Sequence, residues 1–212
     1  MHHEDHRTRS ASTPLVGSQA DLPLMFDTYP RYQPSGGVRT LECDVEATWI
    51  DINDHMNAQY YGIIVYRAHA AFTDILGLGD EYVRSTRCGK VVVQTAMTYE
   101  REVRRGACLG VDSWLLGADA KRLHFFHEVR NLGDHTRVAV SEQLDLHVNL
   151  ETRRTAPMST DLVSRLRHFV AEQAAAGQPE GVGRRIIPPQ TITGDVGADT
   201  NPDGPEAAQH TN

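Results

Sequence analysis

The chain of 212 residues has few cysteines, no surplus of positive charge and no long hydrophobic run. Its three cysteines, Cys43, Cys88 and Cys108, form no CxxC pair, which argues against a disulfide framework and against a zinc site. No apolar run approaches the ~20 residues that a membrane span needs. The first residues lack the apolar core of a signal peptide. We therefore expect a cytoplasmic protein with no membrane partner.

The charge balance argues against nucleic acid as a partner. Lys and Arg number 21 against 28 Asp and Glu, for a net charge of -7, whereas a nucleic-acid-binding protein presents a basic face. The hydrophobic content of 40% can support a core, and the length suits one domain. Polar and turn-forming residues dominate both ends. We therefore predict a flexible arm over 1–36, a folded domain over 37–178 and a disordered tail over 179–212.

Hydrophobic periodicity within the folded domain predicts a strand, a long helix, four further strands and a last helix. The strands are predicted at 38–50, 90–104, 107–116, 122–130 and 136–149, and the helices at 60–76 and 161–176, with a short helical turn at 80–84. Short connections between the later strands favour antiparallel pairing. A curved antiparallel sheet wrapped around one long helix is an α+β arrangement, the hotdog fold. Pairing of an edge strand with a second copy would give a homodimer or tetramer.

Polar chemistry is concentrated where the first predicted strand gives way to the long helix. Asp51, His55 and Asn57 lie within seven residues there, and the first N–H groups of a helix have no intrahelical partner. A carboxylate facing a thioester or ester carbonyl, with such N–H groups on the carbonyl oxygen, is a minimal hydrolase. Helix capping is the alternative interpretation, because Asp and Asn are favoured at N-caps for structural reasons alone.

Over about residues 38–158 the chain resembles hotdog thioesterases of the 4-hydroxybenzoyl-CoA thioesterase type. That family carries an Asp-x-Asn-x-His-x-Asn pattern followed by an aromatic residue, matched here by Asp51, Asn53, His55, Asn57 and Tyr60. A closer similarity is to the betainyl-CoA thioesterases. It rests on Trp49–Asp51, His55-Met56, the Leu115–His127 block, Glu142-Gln143 and Leu146–Val148, with a weaker match at Arg154–Pro157. Asp54 departs from the pattern, since a glycine is common at that position.

The resemblance implies that Asp51 is the nucleophile or the general base of thioester hydrolysis, and the sequence leaves both roles open. His55 and Asn57 would orient Asp51 or the attacking water. The backbone N–H groups of Ala58 and Gln59 are the candidates for polarising the thioester oxygen. The resemblance requires no metal and no cofactor, because coenzyme A is part of the acyl-CoA substrate.

The remaining candidates concern substrate binding. A trimethylammonium on a betainyl group would be held by aromatic faces; the available rings are Trp49, Tyr60, Tyr61, Tyr99 and Trp114, with Trp49, Tyr60 and Tyr99 preferred. Lys121 and Arg122 are candidates for the CoA phosphates, with Arg101, Arg104 and Arg105 as alternatives. Glu100 and Glu102 are expected to be solvated. His124 and His127 should point to opposite faces of a strand, which argues against a shared metal.

We therefore predict an acyl-CoA thioesterase for a short cationic acyl group, with betainyl-CoA as the best candidate, in carnitine and betaine metabolism. Two other functions stay open at this stage. A hotdog hydratase or dehydratase would use an Asp/His pair to move a proton at carbon. A non-catalytic module would only bind acyl-CoA.

Overall fold

The computed structural model describes residues 31–184. Its strands are β1 (Arg31–Tyr32), β2 (Val38–Asp44), β3 (Cys88–Tyr99), β4 (Cys108–Ala118), β5 (Arg122–Asn131), β6 (Arg137–Asn149) and β7 (Arg154–Thr155). Its helices are α1 (Ala58–Ile75), α2 (Asp80–Thr86) and α3 (Thr160–Ala175), with a 3-10 turn at Ala47–Trp49. Most of the predicted arm and tail, residues 1–30 and 185–212, lie outside the described residues. No helix within 31–184 is long and apolar enough to cross a membrane.

The described strands form one antiparallel sheet in the order β1-β2-β4-β5-β6-β3, with β7 paired to β6. The connection from β2 to β4 passes through α1, α2 and β3, so α1 crosses the sheet while β3 is added at its far edge. The sheet wraps around α1, and the hotdog prediction is confirmed. β2 and β3 lie near opposite ends of the strand order, which leaves β3 without a partner on its outer side within residues 31–184.

Helix α1 forms because apolar residues recur on one face and because a capping residue precedes it and a glycine follows it. Asn57 caps the N-terminus with its side chain, and Gly77, at φ +75°, follows the C-terminus. The inward face is buried; its apolar residues are Tyr61, Ile64, Val65, Ala68 and Phe72, and its polar ones are His69 and Thr73. Burying each large side chain contributes about 1.5–3 kcal/mol relative to an exposed one. Packing therefore fixes α1 against the sheet.

The two halves of α1 pack into different parts of the core. Its N-terminal half contacts Val45, Trp49 and Val103 together with β2 and β4. Its C-terminal half contacts β4, β5 and α3, where Phe72 lies 5.9 Å from Phe169 between ring centroids. Helix α3 therefore covers the C-terminal half of α1. The N-terminus of α1 meets loops instead, and that is the end that carries Asp51.

Two strands end earlier than predicted. β2 ends at Asp44, because the chain turns into the 3-10 segment that buries Trp49. β3 ends at Tyr99, five residues before the predicted position, and residues 100–107 then cross towards the loop before α1. Val45 and Val103 are nevertheless buried. The alternation of apolar and polar residues therefore continues beyond the last paired residues of both strands. It predicted the burial of these side chains correctly and the length of the strands incorrectly.

Strand β3 exposes apolar side chains at the edge of the sheet. Val91, Val92 and Val93 are 40, 46 and 50% exposed. The pairing of β3 with β6 shifts register between Val92 and Gln94, which interrupts the predicted alternation of one apolar face. An edge strand with consecutive exposed valines is a surface on which a further strand can pair.

Candidate functional site

A closed loop of seven residues holds the predicted catalytic segment in place. Ile50 and Met56 form an isolated antiparallel bridge, and the N–H of Asp51 donates to the carbonyl of His55 at 3.0 Å. The N–H of Met56 donates to the carbonyl of Val103 at 2.7 Å, which ties the loop to the segment that follows β3. The loop backbone is therefore fixed from both sides, and so is the direction of the Asp51 side chain.

Asp54 occupies the one position of this loop that requires a left-handed backbone. Its φ is +63°, a value that glycine adopts freely and that Asn and Asp tolerate better than other residues. The requirement explains why glycine is common here in the family that the sequence resembles. Asp54 keeps the backbone geometry and adds a carboxylate beside Asp51.

The Asp51 carboxylate is partly exposed, and one of its two oxygens accepts a hydrogen bond from the protein. Its Oδ1 accepts a hydrogen bond from the N–H of Asn53 at 2.8 Å. Within residues 31–184 its Oδ2 has no hydrogen-bond partner. The side chain is 23% exposed. One oxygen is thus oriented by the backbone, and the other is available to a substrate or a water molecule.

The His55 ring lies between two carboxylates without a close bond to either. Its Nδ1 is 3.8 Å from Asp51 Oδ1, and its Nε2 is 3.9 Å from Glu102 Oε1. Both distances exceed that of a hydrogen bond. A small movement of any of the three side chains, or one bridging water, would connect them.

The two predicted oxyanion donors at the N-terminus of α1 differ in whether they already have a hydrogen-bond partner. Asn57 Oδ1 accepts a hydrogen bond from the N–H of Gln59 at 3.0 Å, so Asn57 is the N-cap and the Gln59 donor is occupied. The N–H of Ala58, the first residue of α1, has no hydrogen-bond partner within the described part of the chain. Of the two predicted donors, Ala58 is the available one.

These groups line one cleft of about 390 Å³. One wall is the loop and helix start, with Asp51, His55, Met56, Asn57 and Ala58, and the other is Tyr61 with residues 99–102. Tyr61 and Tyr99 meet edge to face, with ring centroids 5.2 Å apart. Burial raises the pKa of Tyr61 to about 12. The structure therefore brings together the three predicted catalytic residues, one predicted donor and two of the predicted aromatics, Tyr61 and Tyr99.

The two glutamates of the second wall differ in their partners. Glu100 forms a two-fold ion pair with Arg137, at 2.7 and 2.8 Å, and its side chain is 18% exposed. The expectation that Glu100 is solvated is therefore wrong, because Arg137 holds it against the sheet. Glu102 is 72% exposed, as expected, yet it lies in the cleft beside His55.

Two preferred aromatics are packed next to the cleft instead of lining it. Trp49 is buried and stacks on Tyr60 with ring centroids 5.1 Å apart. The Tyr60 hydroxyl donates to the carbonyl of Thr48 at 3.2 Å. Trp114 is buried on the outer side of the sheet against Phe126. Tyr99 is the preferred aromatic that the structure places in the cleft.

Lys121 and Arg122 lie at the other end of the sheet from Asp51. They follow the 11-residue strand β4, whose first residues are next to the Asp51 end, so roughly 30 Å separates the two places. They line a second cleft, of about 600 Å³, with Arg167 and Asp119. Arg122 pairs with Asp119 at 2.6 Å. Within one copy, the structure does not bring these cations to the predicted catalytic residues.

A buried polar chain, absent from the sequence predictions, runs beneath α1. Its members are Thr40, Ser113, His127, His69, Asp145 and Lys90. Thr40 contacts Ser113 at 2.8 Å, Ser113 contacts His127 at 2.8 Å, and His127 contacts His69 at 3.1 Å. His69 Nε2 then lies 3.0 Å from Asp145 Oδ2 and 2.7 Å from Lys90 Nζ. His127 points inward as one of the two strand histidines was predicted to do, and His124 lies on the other face, paired with Glu142. No short-range motif could have found the chain, since its members come from six elements.

Burial keeps the two histidines of this chain neutral. It lowers the pKa of His127 well below its ordinary value, with the neighbouring His69 and Lys90 adding to the effect. Burial also lowers the pKa of His69, against the opposing hydrogen bond to Asp145. A neutral imidazole donates with one nitrogen and accepts with the other, which matches the contacts of His127 to Ser113 and His69, while His69 contacts His127 with Nδ1 and both Asp145 and Lys90 with Nε2.

The residues of the chain match a family model, "Thioesterase-like superfamily", over 45–166. This match covers the closed loop, α1, the cleft and the strands from β3 to β7. The chain belongs to the thioesterase-like superfamily. The prediction of a thioester hydrolase with the hotdog fold is thereby confirmed.

Named relatives agree with the family. A betainyl-CoA thioesterase of Pseudomonas aeruginosa is 32% identical over 151 residues, which are 71% of this chain and 95% of that protein. An L-carnitine dehydrogenase/betainyl-CoA thioesterase of Agrobacterium fabrum is 34% identical over 155 residues, 73% of this chain. The match covers 29% of that fused relative.

Solved structures also match. A candidate thioesterase from Pseudomonas putida KT2440 has a TM-score of 0.62 and 32% identity, over 72% of this chain and 97% of that one. A Staphylococcus aureus protein solved in complex with CoA has a TM-score of 0.64 and 25% identity, over 70% of this chain and 93% of that one. Both cover the domain that contains the cleft.

Proposed function

We propose that this thioesterase hydrolyses a short cationic acyl-CoA, with betainyl-CoA as the substrate that its relatives favour, and that Asp51 is the nucleophile or general base. The products would be betaine and CoA, as a step of carnitine or betaine metabolism. The reaction needs no cofactor beyond the CoA of the substrate. The expected cytoplasmic location stays a prediction.

One observation carries the proposal: a carboxylate oxygen and an unpaired helix N–H line the same cleft. Asp51 Oδ2 and the N–H of Ala58 both lack a protein partner within residues 31–184, and both residues line the cleft. A thioester carbon between them would have a nucleophile or an activated water on one side and a donor for its oxygen on the other. His55 and Asn57 would support these two groups.

Replacing Asp51 with Asn tests the role of the carboxylate. We expect kcat to fall by at least about 100-fold, because the amide can neither attack nor take a proton. Affinity for a non-hydrolysable acyl-CoA analogue should remain, since the side chain keeps its size. Release of free thiol from betainyl-CoA measures the rate, and calorimetry measures the binding.

Asp54→Asn is the matched control for that variant. It makes the same chemical change in the same loop, and Asn tolerates the left-handed backbone at this position. We expect its kcat to stay within a few-fold of the wild type. An Asp51→Asn enzyme with an unchanged rate would contradict the proposal, and enoyl loss without thiol release would favour a hydratase.

Ala58→Pro removes the proposed oxyanion donor with little change in the helix. Proline is favoured at the first helical position because its missing N–H has no intrahelical partner there. The preceding Asn57 has φ -61° and ψ 139°, a conformation that a following proline permits. We expect kcat to fall about 100- to 1000-fold with unchanged helix content by circular dichroism. Full activity would exclude this N–H as the donor.

We also propose that the active form is at least a homodimer, paired through β3. Antiparallel pairing of β3 with a second copy would cover Val91, Val92 and Val93. It would also place the Cys88 end of one β3 beside the Tyr99 end of the other. The turn that carries Lys121 is at the Cys88 end, since its carbonyl accepts from the N–H of His147.

This pairing would bring Lys121 and Arg122 of a second copy towards the cleft, as the prediction for CoA phosphates requires. We expect Val93→Glu to convert the oligomer to a monomer by light scattering and to abolish thiol release. A wild-type monomer with full activity would contradict the dimer and leave the thioesterase assignment in place.

A further inference from the structure

The cleft contains a carboxylate that the protein itself leaves almost unused. Glu102 lies on the wall opposite Asp51, its side chain is 72% exposed, and the one basic group within 4.0 Å of its carboxylate in residues 31–184 is His55, at 3.9 Å. Glu100, two residues away on the same wall, is held by Arg137. The difference separates a structural carboxylate from one that is available to a ligand.

An aromatic face accompanies the free carboxylate. Tyr99 is 53% exposed and packs edge to face on the buried Tyr61, which fixes its ring in the cleft. A quaternary ammonium has no N–H, so it is recognised by aromatic faces and by unpaired negative charge. Tyr99 and Glu102 supply these two groups on one wall.

The position of Glu102 relative to Asp51 also suits a short acyl group. One imidazole, that of His55, separates the two carboxylates, with contacts of 3.8 and 3.9 Å on its two sides. In a betainyl thioester a single methylene separates the carbonyl carbon from the cationic nitrogen. With the carbonyl at Asp51, the ammonium would lie on the His55 side of the cleft, towards Glu102.

We propose that Glu102, together with the ring of Tyr99, selects acyl groups that carry a fixed positive charge next to the carbonyl carbon. The inference rests on the proposed thioesterase function and specifies its substrate class. Glu102 is a specificity-determining residue here, and it takes no part in breaking the thioester bond.

A pair of substrates of equal shape tests this proposal. Betainyl-CoA and 3,3-dimethylbutyryl-CoA differ in having nitrogen or carbon at the branched centre, so only the first is cationic. We expect the wild type to prefer betainyl-CoA in kcat/KM. Glu102→Gln should lower kcat/KM for betainyl-CoA about 10-fold and change it less than about two-fold for the neutral substrate. Raised salt should weaken the wild-type preference.

Glu81→Gln is the control, since it removes the same charge from a side chain that is 81% exposed on α2, outside the cleft. It should leave both substrates unchanged. Tyr99→Leu should lower the preference, and Tyr99→Phe should keep it. Equal effects of Glu102→Gln on the two substrates, or no effect on either, would overturn the proposal. If the wild type hydrolysed the two substrates at equal rates, the proposed selectivity would be wrong and the thioesterase function would stand. If it released thiol from neither substrate, the proposed thioesterase function would be wrong as well.

Discussion

The buried polar chain and the cleft differ in how tightly their polar groups are paired. In the buried polar chain, His69, His127 and Asp145 are 2, 0 and 0% exposed and are linked at 3.0–3.1 Å. In the cleft, His55 lies 3.8 and 3.9 Å from two partly or largely exposed carboxylates. Most groups of the buried chain already have a partner, although Asp145 Oδ1 has none within residues 31–184, and a paired group cannot bind a ligand without losing its partner. The loosely paired groups of the cleft can, which supports the proposal that the cleft is the chemical site and the chain is structural support.

Breaking the buried chain should produce the largest change in stability. Asp145→Ala leaves Lys90, whose side chain is 16% exposed, and His69 without their carboxylate. We expect the free energy of unfolding to fall by about 3–5 kcal/mol, the usual result of removing one member of a buried ion pair. Urea unfolding measures it, and kcat per folded molecule should not change.

The double variant Lys90→Met with Asp145→Leu sharpens that result. It removes both charges and fills the space with apolar side chains, so it should recover much of the lost stability. In the cleft, Glu102→Gln should change stability by less than about 0.5 kcal/mol. If Asp145→Ala unfolds at the wild-type urea concentration, the chain is not structural support.

The buried histidines should make stability depend on pH. Their folded-state pKa values are lowered by burial, whereas in the unfolded chain they take up protons near pH 6.5. Below that pH the unfolded state binds more protons, so stability falls as the pH falls. We expect a loss of up to about 1.4 kcal/mol per pH unit for each histidine, measured by urea unfolding from pH 7.5 to 5.5.

His127→Gln should reduce this slope, since it removes one of the two groups. Lys90 and Asp145 are the charged members of the chain beside these histidines, and the pKa of Lys90 is lowered by burial. A variant with the wild-type slope would assign the pH dependence to other groups.

A smaller loss of stability than that of Asp145→Ala is expected at Asn57, which borders the cleft but is already used as a cap. Asn57→Ala should cost about 1 kcal/mol of unfolding free energy, because the Gln59 N–H loses its acceptor. Asn57→Asp keeps an acceptor at that position and should restore stability. A loss of kcat/KM that Asn57→Asp does not restore would add a contact between the Asn57 amide and the substrate.

The sequence predicted the elements of this fold well and their ends less well. The long helix was expected at 60–76 and is found at Ala58–Ile75, because apolar spacing and the following glycines are local signals. The predicted strands β2 and β3 were too long, because Val45 and Val103 continue the apolar alternation after the pairing with neighbouring strands has ended. The two-residue strands β1 and β7 carry too few residues to show a period.

The residues of the candidate site also differ in how far the sequence could predict them. Asp51, His55, Asn57 and Ala58 are neighbours in sequence, so one motif was enough to predict their meeting. Glu102 is 51 positions away from Asp51 by residue number, and nothing local distinguishes it from Glu100. The difference between them arises from Arg137, which β6 places beside one glutamate and not the other.

The sequence by itself determined the strand and helix order, the family motif and the place of the proposed catalytic carboxylate before α1, because these depend on residues close together in the chain. The tertiary structure alone decided which polar groups are satisfied. It enclosed the buried chain between α1 and the sheet, left Asp51 and Glu102 facing one cleft, and placed Lys121 at the far end of the sheet. The physical reason is that a side chain's partners and exposure depend on which distant strands pack beside it.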